Sequence, residues 1–457
     1  MRIAVVGTGI SGLLAARLLH TRHDVTVFEA SGRIGGHTHT HDVEWAGRRY
    51  AVDTGFIVYN ERTYPGFTEL LRRLGVATRS STMSFAVRAD RADLEWCGTD
   101  LGALFAQKRN LLRPWFWGLL RDVLRFARGA DAVLAAGDER TTLGELLRRE
   151  GYGRAFVEHY IVPMGAAIWS ARPEAMLEFP ALTFVRFFHN HGMLQVSGRP
   201  QWRTVAGGSQ RYVEPLVAPL GLRIHTRSPV RSVRRLHPDE GGGVELIIAG
   251  VGTMPFDAVV LATHADQSLA LLADPSPAER QILGAIPYQQ NEAVLHVDER
   301  FLPRRARARA AWNYLVPEQP GRRLAVTYDM NALQGLQAPV RFQLTLNPPE
   351  PPDALKVLAR MDYHHPVFTA DGIAAQRRRD EIDGVRGTYY CGAWWGYGFH
   401  EDGVQSALVM ARRLGIEGLS VLGEACPTAA DGGAEQDDPE RAPPGRGRAD
   451  DPMETAA

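Results

Sequence analysis

The stretch Arg2-Ile-Ala-Val-Val-Gly-Thr-Gly-Ile-Ser-Gly-Leu-Leu-Ala-Ala-Arg-Leu-Leu19, followed by Val25-Thr-Val-Phe28 and Glu29, decides the fold. Ile3 to Val6 is a short apolar run rich in β-branched residues, which suits a strand buried on both faces of a parallel sheet. Gly7, Gly9 and Gly12 follow at GxGxxG spacing, and Leu13 to Leu19 reads as a helix. Gly7 permits the tight turn, Gly9 lets backbone approach a pyrophosphate, and Gly12 lets helix and strand pack closely. The helix N-terminus offers unpaired N–H groups and the positive end of its dipole to phosphate. Val25 to Phe28 supplies the next strand, and Glu29 at its end can accept from a ribose hydroxyl. The reading is an α/β fold with a Rossmann-like dinucleotide site.

The continuation separates FAD from NAD. Gly32-Arg-Ile-Gly-Gly36 follows Glu29 directly and resembles the extended motif of the flavin amine oxidase and carotenoid desaturase superfamily. It provides a second glycine hinge close to the diphosphate, with Arg33 or His37 beside it. The expected FAD contacts from this region are Gly7, Gly9, Ser11, Gly12, Glu29, Ala30, Arg33, Gly35, Gly36 and His37.

At 457 residues the chain exceeds one simple core, so two intertwined domains are expected. Apolar residues make up 45% and charged residues 23%, as in ordinary globular proteins, and the formal net charge of zero gives no reason to expect a nucleic-acid partner. Basic residues are almost all arginine, leaving Lys108 and Lys356 as the two lysines available for chemistry. Cys97, Cys391 and Cys426 are scattered without a CxxC pair, so neither a disulfide frame nor a zinc site is expected. The first strand begins at residue 2 and no apolar run reaches membrane-spanning length, so the expected compartment is the cytoplasm.

His37-Thr-His-Thr-His41 alternates like a strand and places three histidines on one face; a metal is conceivable, but no fourth ligand is evident, and a strand leaving the diphosphate is the plainer reading. Asp53-Thr-Gly-Phe-Ile-Val-Tyr-Asn60 matches the superfamily segment that runs past the isoalloxazine ring, which implicates Phe56, Ile57 and Val58. Phe67 to Leu74 is helical. Residues 76–200 read as an insertion. Within it, Asn110 to Arg128 combines an apolar face with Trp115, Trp117 and several arginines. Such a stretch can rest on a membrane surface, line an apolar entrance, or pack its aromatic stripe into the core as an internal helix pair. Thr142 and Glu145 have capping-box spacing ahead of a helix to Arg149. Tyr160 to Ser170 and Phe184 to Gln195 have the aromatic, sparsely polar character of a substrate cavity, with Asn190 and His191 as polar candidates.

Val205 to Ser209 returns the chain to the cofactor domain. A helix to Pro219, a strand at Leu222 to His225, a meander over Val230 to Ala249, and a buried strand from Asp257 to Thr263 follow. By resemblance, Val230 meets the adenine through its backbone and Thr263 ends beside the flavin. Trp312 to Leu315 and Ala325 to Tyr328 read as strands of the substrate domain. The expected division is 1–75, 201–284 and 381–422 for FAD, 76–200 and 285–380 for an α+β substrate domain, and 423–457 as a disordered tail.

Tyr389-Tyr-Cys-Gly-Ala-Trp-Trp-Gly-Tyr-Gly-Phe-His-Glu-Asp-Gly-Val404 reads as a strand, a glycine-rich loop and a helix starting near Gly403. A helix N-terminus aimed at the pyrimidine edge stabilises negative charge there. Gly392, Asp402, Gly403 and Val404 are therefore expected cofactor contacts. With Asp53–Asn60, Arg62–Pro65, Met83–Phe85, Phe105–Lys108, Ile168–Ser170, Gly198–Trp202, Leu346–Pro349 and Gly396–Gly403, the chain to about 420 resembles a finer branch. That branch holds the oxidase-like N-terminal portion of plant cyclopropane fatty acid synthases and bacterial flavoproteins of furan fatty acid biosynthesis. The resemblance implies an FAD-dependent oxidase or desaturase acting on a methylated or cyclopropane-bearing acyl chain, with hydride passing to flavin N5. It also implies peripheral contact with the inner membrane surface and association with a cyclopropane-synthase-like methyltransferase. Departures stand out: amine oxidases carry an acid just after the glycine at Gly392, where Ala393 and Trp394 stand, and an arginine where His37 stands. Their active-site lysine has no evident counterpart. Should a proton leave with the hydride, His400, Glu401 and His191 are the candidate bases, with helix capping as the other reading for the first two. Amine oxidation and a non-catalytic accessory role remain the alternatives.

Overall fold

A computed structural model describes residues 1–169, 171–195, 198–316, 318 and 325–423. Ser170 and the tail from 424, with Cys426, lie outside the described residues. The run Ile3–Val6 forms the strand Arg2–Val6 at the centre of a five-stranded parallel sheet. The strand order is Ile224–His225, Asp24–Phe28, Arg2–Val6, Ala258–Leu261, Thr388–Tyr390. Side chains alternate across it. Ile3 and Val5 join a core with the helices Ile10–Leu19, Gln210–Val217 and His400–Arg413. Ala4 and Val6 face the meander Val230–Arg235, Val244–Ile248 and Gly252–Phe256. Burial on both faces explains why this strand reads as an unbroken apolar run.

A seven-stranded sheet forms the second body, in the order Val357–Pro366, Tyr288–His296, Gln343–Leu346, Ala325–Asp329, Trp312–Val316, Phe85–Ala89, Leu94–Cys97. It is antiparallel except where Trp312–Val316 runs beside Phe85–Ala89. Helices from 114 to 190 pack an aromatic-rich core onto it, with Phe116, Phe156, Phe184 and Phe188 fully buried. Thr78–Ser81 and Trp202–Val205 pair in one small sheet, so the intervening chain leaves and returns at neighbouring strands.

The stretch 110–128 takes in the end of a tight turn over Lys108–Leu112 and most of the helix Pro114–Ala136. Proline fits the first helical position but lacks the N–H that would continue the turn before it. The last helix starts at His400 rather than Gly403. The capping box at Thr142 and Glu145 forms as read, with both hydrogen bonds present.

Candidate active site

The parallel sheet brings Gly7, Glu29 and Thr263 to one edge, where a cavity of about 840 Å³ opens. It takes in Phe28, Glu29, Ala30 and Val230, passes the Gly7–Ser11 loop, Arg33, Gly36 and His37, and reaches Phe56, Ile57, Val58, Gly392 and Ala393. Beyond them it is walled by Met83, Ile168, Trp169, Phe187, His191, Trp312, Leu344 and Leu346.

The glycines test whether a dinucleotide fits. A Cβ on Gly7, at φ +104°, would lie 2.6 Å from the Ala262 carbonyl oxygen, and one on Gly12 would lie 2.1 Å from that of Gly7. Both are required by packing. Gly9 is different: its φ of −67° suits any residue, and a Cβ there meets nothing within 4 Å. Neither backbone nor packing requires glycine at this position. A ligand lying against the first turn of the helix Ile10–Leu19 does, and the diphosphate of FAD has the charge for that N-terminus. Gly36, at φ +59°, presses against Gly9, and Arg33 fixes the hinge by donating to the carbonyls of Gly36 and Thr38 at 2.6 and 2.8 Å. Glu29 is oriented by the Thr8 and Ser31 amides at 3.0 and 2.8 Å and keeps acceptor capacity toward the cavity. These residues fit FAD.

His191 lies half-buried in the wall, stacked on Phe187 with ring centroids 3.9 Å apart. Its Nδ1 is 2.9 Å from the Phe187 carbonyl oxygen, which only accepts. Nδ1 therefore carries the proton and Nε2 is a free base, and burial holds the group near a pKa of about 4. His400 also meets the cavity, but its Nε2 is engaged with Tyr212 Oη at 3.0 Å and Thr38 Oγ1 at 3.2 Å. Its ring stacks at 3.7 Å on Phe56, and burial lowers its pKa to about 3. It positions the Phe56–Val58 segment.

The candidate base Glu401 and the expected contacts Asp402, Gly403, Val404, Gly12 and Gly35 do not line the cavity. Glu401 accepts from the Gly66 and Phe67 amides at 3.0 and 2.8 Å, capping the helix Pro65–Arg73. Asp402 is folded under the loop, accepting from the Phe399 amide at 2.9 Å, and burial raises its pKa to about 7. Gly403 packs against Ile10 and Ser11, where a Cβ would meet both below 3 Å, and Val404 is fully buried between the first and last helices. Gly12 and Gly35 shape the loops from behind. Asn190 is exposed.

The reading missed a wall of imidazoles. His264, His364 and His365 line the cavity with Tyr363, and His37 lies 5.3 and 6.5 Å from the rings of His365 and His264. Burial and mutual repulsion hold His37 well below its usual pKa and His264 and His365 near 4. The run Tyr363-His-His-Pro366 ending a strand was the available signal. The His39 and His41 rings lie 4.1 Å apart and tilted to each other; among the described residues no group of three or more possible ligands could hold a metal ion. Lys108 and Lys356 are both absent from the cavity wall; Lys356 lies 3.9 Å from Asp298 on the far edge of the sheet.

Residues 10–335 match the family of flavin containing amine oxidoreductases. The chain is 29% identical over 294 residues to a protein of Mycobacterium tuberculosis named as a flavin-containing monoamine oxidase, AofH, covering 62% of this chain and 61% of that relative's length. In structure it is similar to a fatty acid isomerase of P. acnes that produces CLA (TM-score 0.62, 17% identity, 90% of this chain and 98% of that one). It is similar also to cyclohexylamine oxidase of Brevibacterium oxydans (TM-score 0.63, 16% identity, 91% and 99%). At such identities these two likenesses speak for the fold. The chain belongs to the flavin containing amine oxidoreductase family, and the cofactor of its cavity is FAD.

Proposed function

We propose that the protein is an FAD-dependent oxidoreductase whose substrate is an apolar acyl chain bearing a methyl branch or cyclopropane ring. One observation carries the apolar substrate: beyond the flavin segment, the wall is aliphatic and aromatic, with His191 and the hydroxyls of Tyr64, Tyr328 and Tyr397 as its polar groups. The carboxylates meeting the cavity are Glu29, at the adenosine end, and the exposed Asp362. A small ammonium substrate placed in that wall would be desolvated without a carboxylate partner. The methyl or cyclopropane group rests on the family resemblance of the motifs.

Bound FAD supplies two-electron oxidation of a C–H bond. The chain's residues do the rest. Glu29 and the Val230 backbone would hold the adenosine, the Gly9 turn would hold the diphosphate, and Phe56 to Val58 with Ala393 would border the ring. The aromatic wall excludes water and orients the chain, and His191 Nε2 takes the proton when desaturation releases one.

A second reading, oxidation of a small amine, is favoured by the name of the mycobacterial relative. Among the described residues, the wall holds no lysine and no substrate-facing carboxylate, which weighs against it. Lipid extracts from cells with and without the gene test the proposal. Loss of the gene should make a methyl- or cyclopropane-bearing acyl species accumulate and remove its oxidised product. Identical lipid profiles would exclude it.

A further inference from the structure

Eleven large apolar side chains stand exposed among the described residues, and six of them fall between positions 101 and 124. They are Leu101, Leu111, Leu112, Trp115, Trp117 and Leu124, with Leu112 86% and Trp117 49% exposed. Leu111 and Phe105 both meet Trp117. The Trp117 indole N–H donates to the Leu111 carbonyl at 3.0 Å, and its ring lies 5.4 Å from Phe105, the residue that ends the turn begun by Leu101. The Arg113 guanidinium lies over Trp115 at 5.4 Å.

The same stretch, Leu101 to Arg128, holds six basic residues (Lys108, Arg109, Arg113, Arg121, Arg125 and Arg128) against one acid, Asp122, which is buried. In a chain of zero net charge this is a local concentration of positive charge around an apolar centre. Soluble surfaces rarely group apolar residues in this way without a partner. A second copy of the chain is a poor occupant, because a two-fold interface would set the basic ring against itself. The outer surface of an anionic bilayer matches both parts. Tryptophan and leucine are suited to the boundary between headgroups and acyl chains, and arginine and lysine to the negative headgroups. Among the described residues no helix is long and apolar enough to cross a membrane, so the contact would be peripheral.

We propose that the face formed by Leu101–Arg128 docks the protein on anionic phospholipid, with Leu111, Leu112, Trp115 and Trp117 entering the interface. This does not depend on the acyl-chain substrate, although it would bring the enzyme to acyl lipids.

Co-sedimentation of the full-length, FAD-loaded protein with vesicles tests it. Binding should be strong to phosphatidylcholine containing phosphatidylglycerol, weak to phosphatidylcholine alone, and should fall as salt is raised. Leu111→Glu with Leu112→Glu, both at exposed positions, should weaken binding at least tenfold while the flavin spectrum stays unchanged. Lys108→Glu with Arg121→Glu should reduce the salt dependence. Absence of binding to the anionic vesicles, or equal binding by the leucine variant, would overturn the proposal. So would a wild-type dimer that the leucine variant converts to monomer without any vesicle binding.

Discussion

Three residues of the glycine loop look alike in sequence and differ in what they serve. Gly7→Ala and Gly12→Ala would drive a Cβ into backbone, so both should lower stability by several kcal/mol, read from denaturant unfolding. Gly9→Ala has room in the free protein, so it should fold with near-native stability and yet lose FAD, read by thermal melting and flavin retention together. Folding failure of Gly9→Ala would show that the glycine serves packing. Two of the candidate bases separate similarly. His191→Gln should keep FAD and lower turnover by about 10²–10⁴-fold, the usual contribution of a positioned base. Glu401→Ala should leave the flavin spectrum intact and cost about 1 kcal/mol, as loss of a helix cap does.

At the scale of elements, the parts legible in the sequence are those specified locally. Ile3 to Leu19 shows its strand, turn and helix through apolar runs and glycine spacing, and the box at Thr142 is a four-residue pattern. What was hidden depends on contacts between distant segments. Asp402, Gly403 and Val404 follow a flavin-type loop, but the helix begins three residues earlier, at His400, which turns Glu401 onto Pro65–Arg73 and Gly403 onto Ile10. A one-turn change in a helix start redirects every side chain in it. The imidazole wall was likewise out of reach, since His37, His264 and His365 come from three separate segments joined across two sheets. Pro114 stands at the first position of the helix Pro114–Ala136, where proline is favoured.

Across the whole molecule, burial of uncharged histidines makes stability depend on pH. His37 is held well below its usual value, His191, His264, His296 and His365 near 4, and His39 and His400 near 3. Each binds a proton more readily unfolded, so its stabilisation is complete above about pH 6.5 and is lost as pH falls toward 4. Asp53 and Asp402, raised to about 6 and 7, act in the opposite direction but are fewer. The FAD-free protein should therefore melt at progressively lower temperature from pH 7 to pH 4. Added FAD should raise the melting temperature across this range, because a ligand that binds the folded state alone stabilises it. A melting temperature flat over that range would contradict this.

The most direct measurement mixes the FAD-loaded protein, without oxygen, with methyl-branched or cyclopropane-bearing phospholipid and, separately, with small amines such as cyclohexylamine and putrescine. The lipids should bleach the visible flavin absorbance, and the amines should leave it intact. Bleaching by the amines, or oxidised flavin persisting with every lipid, would contradict it.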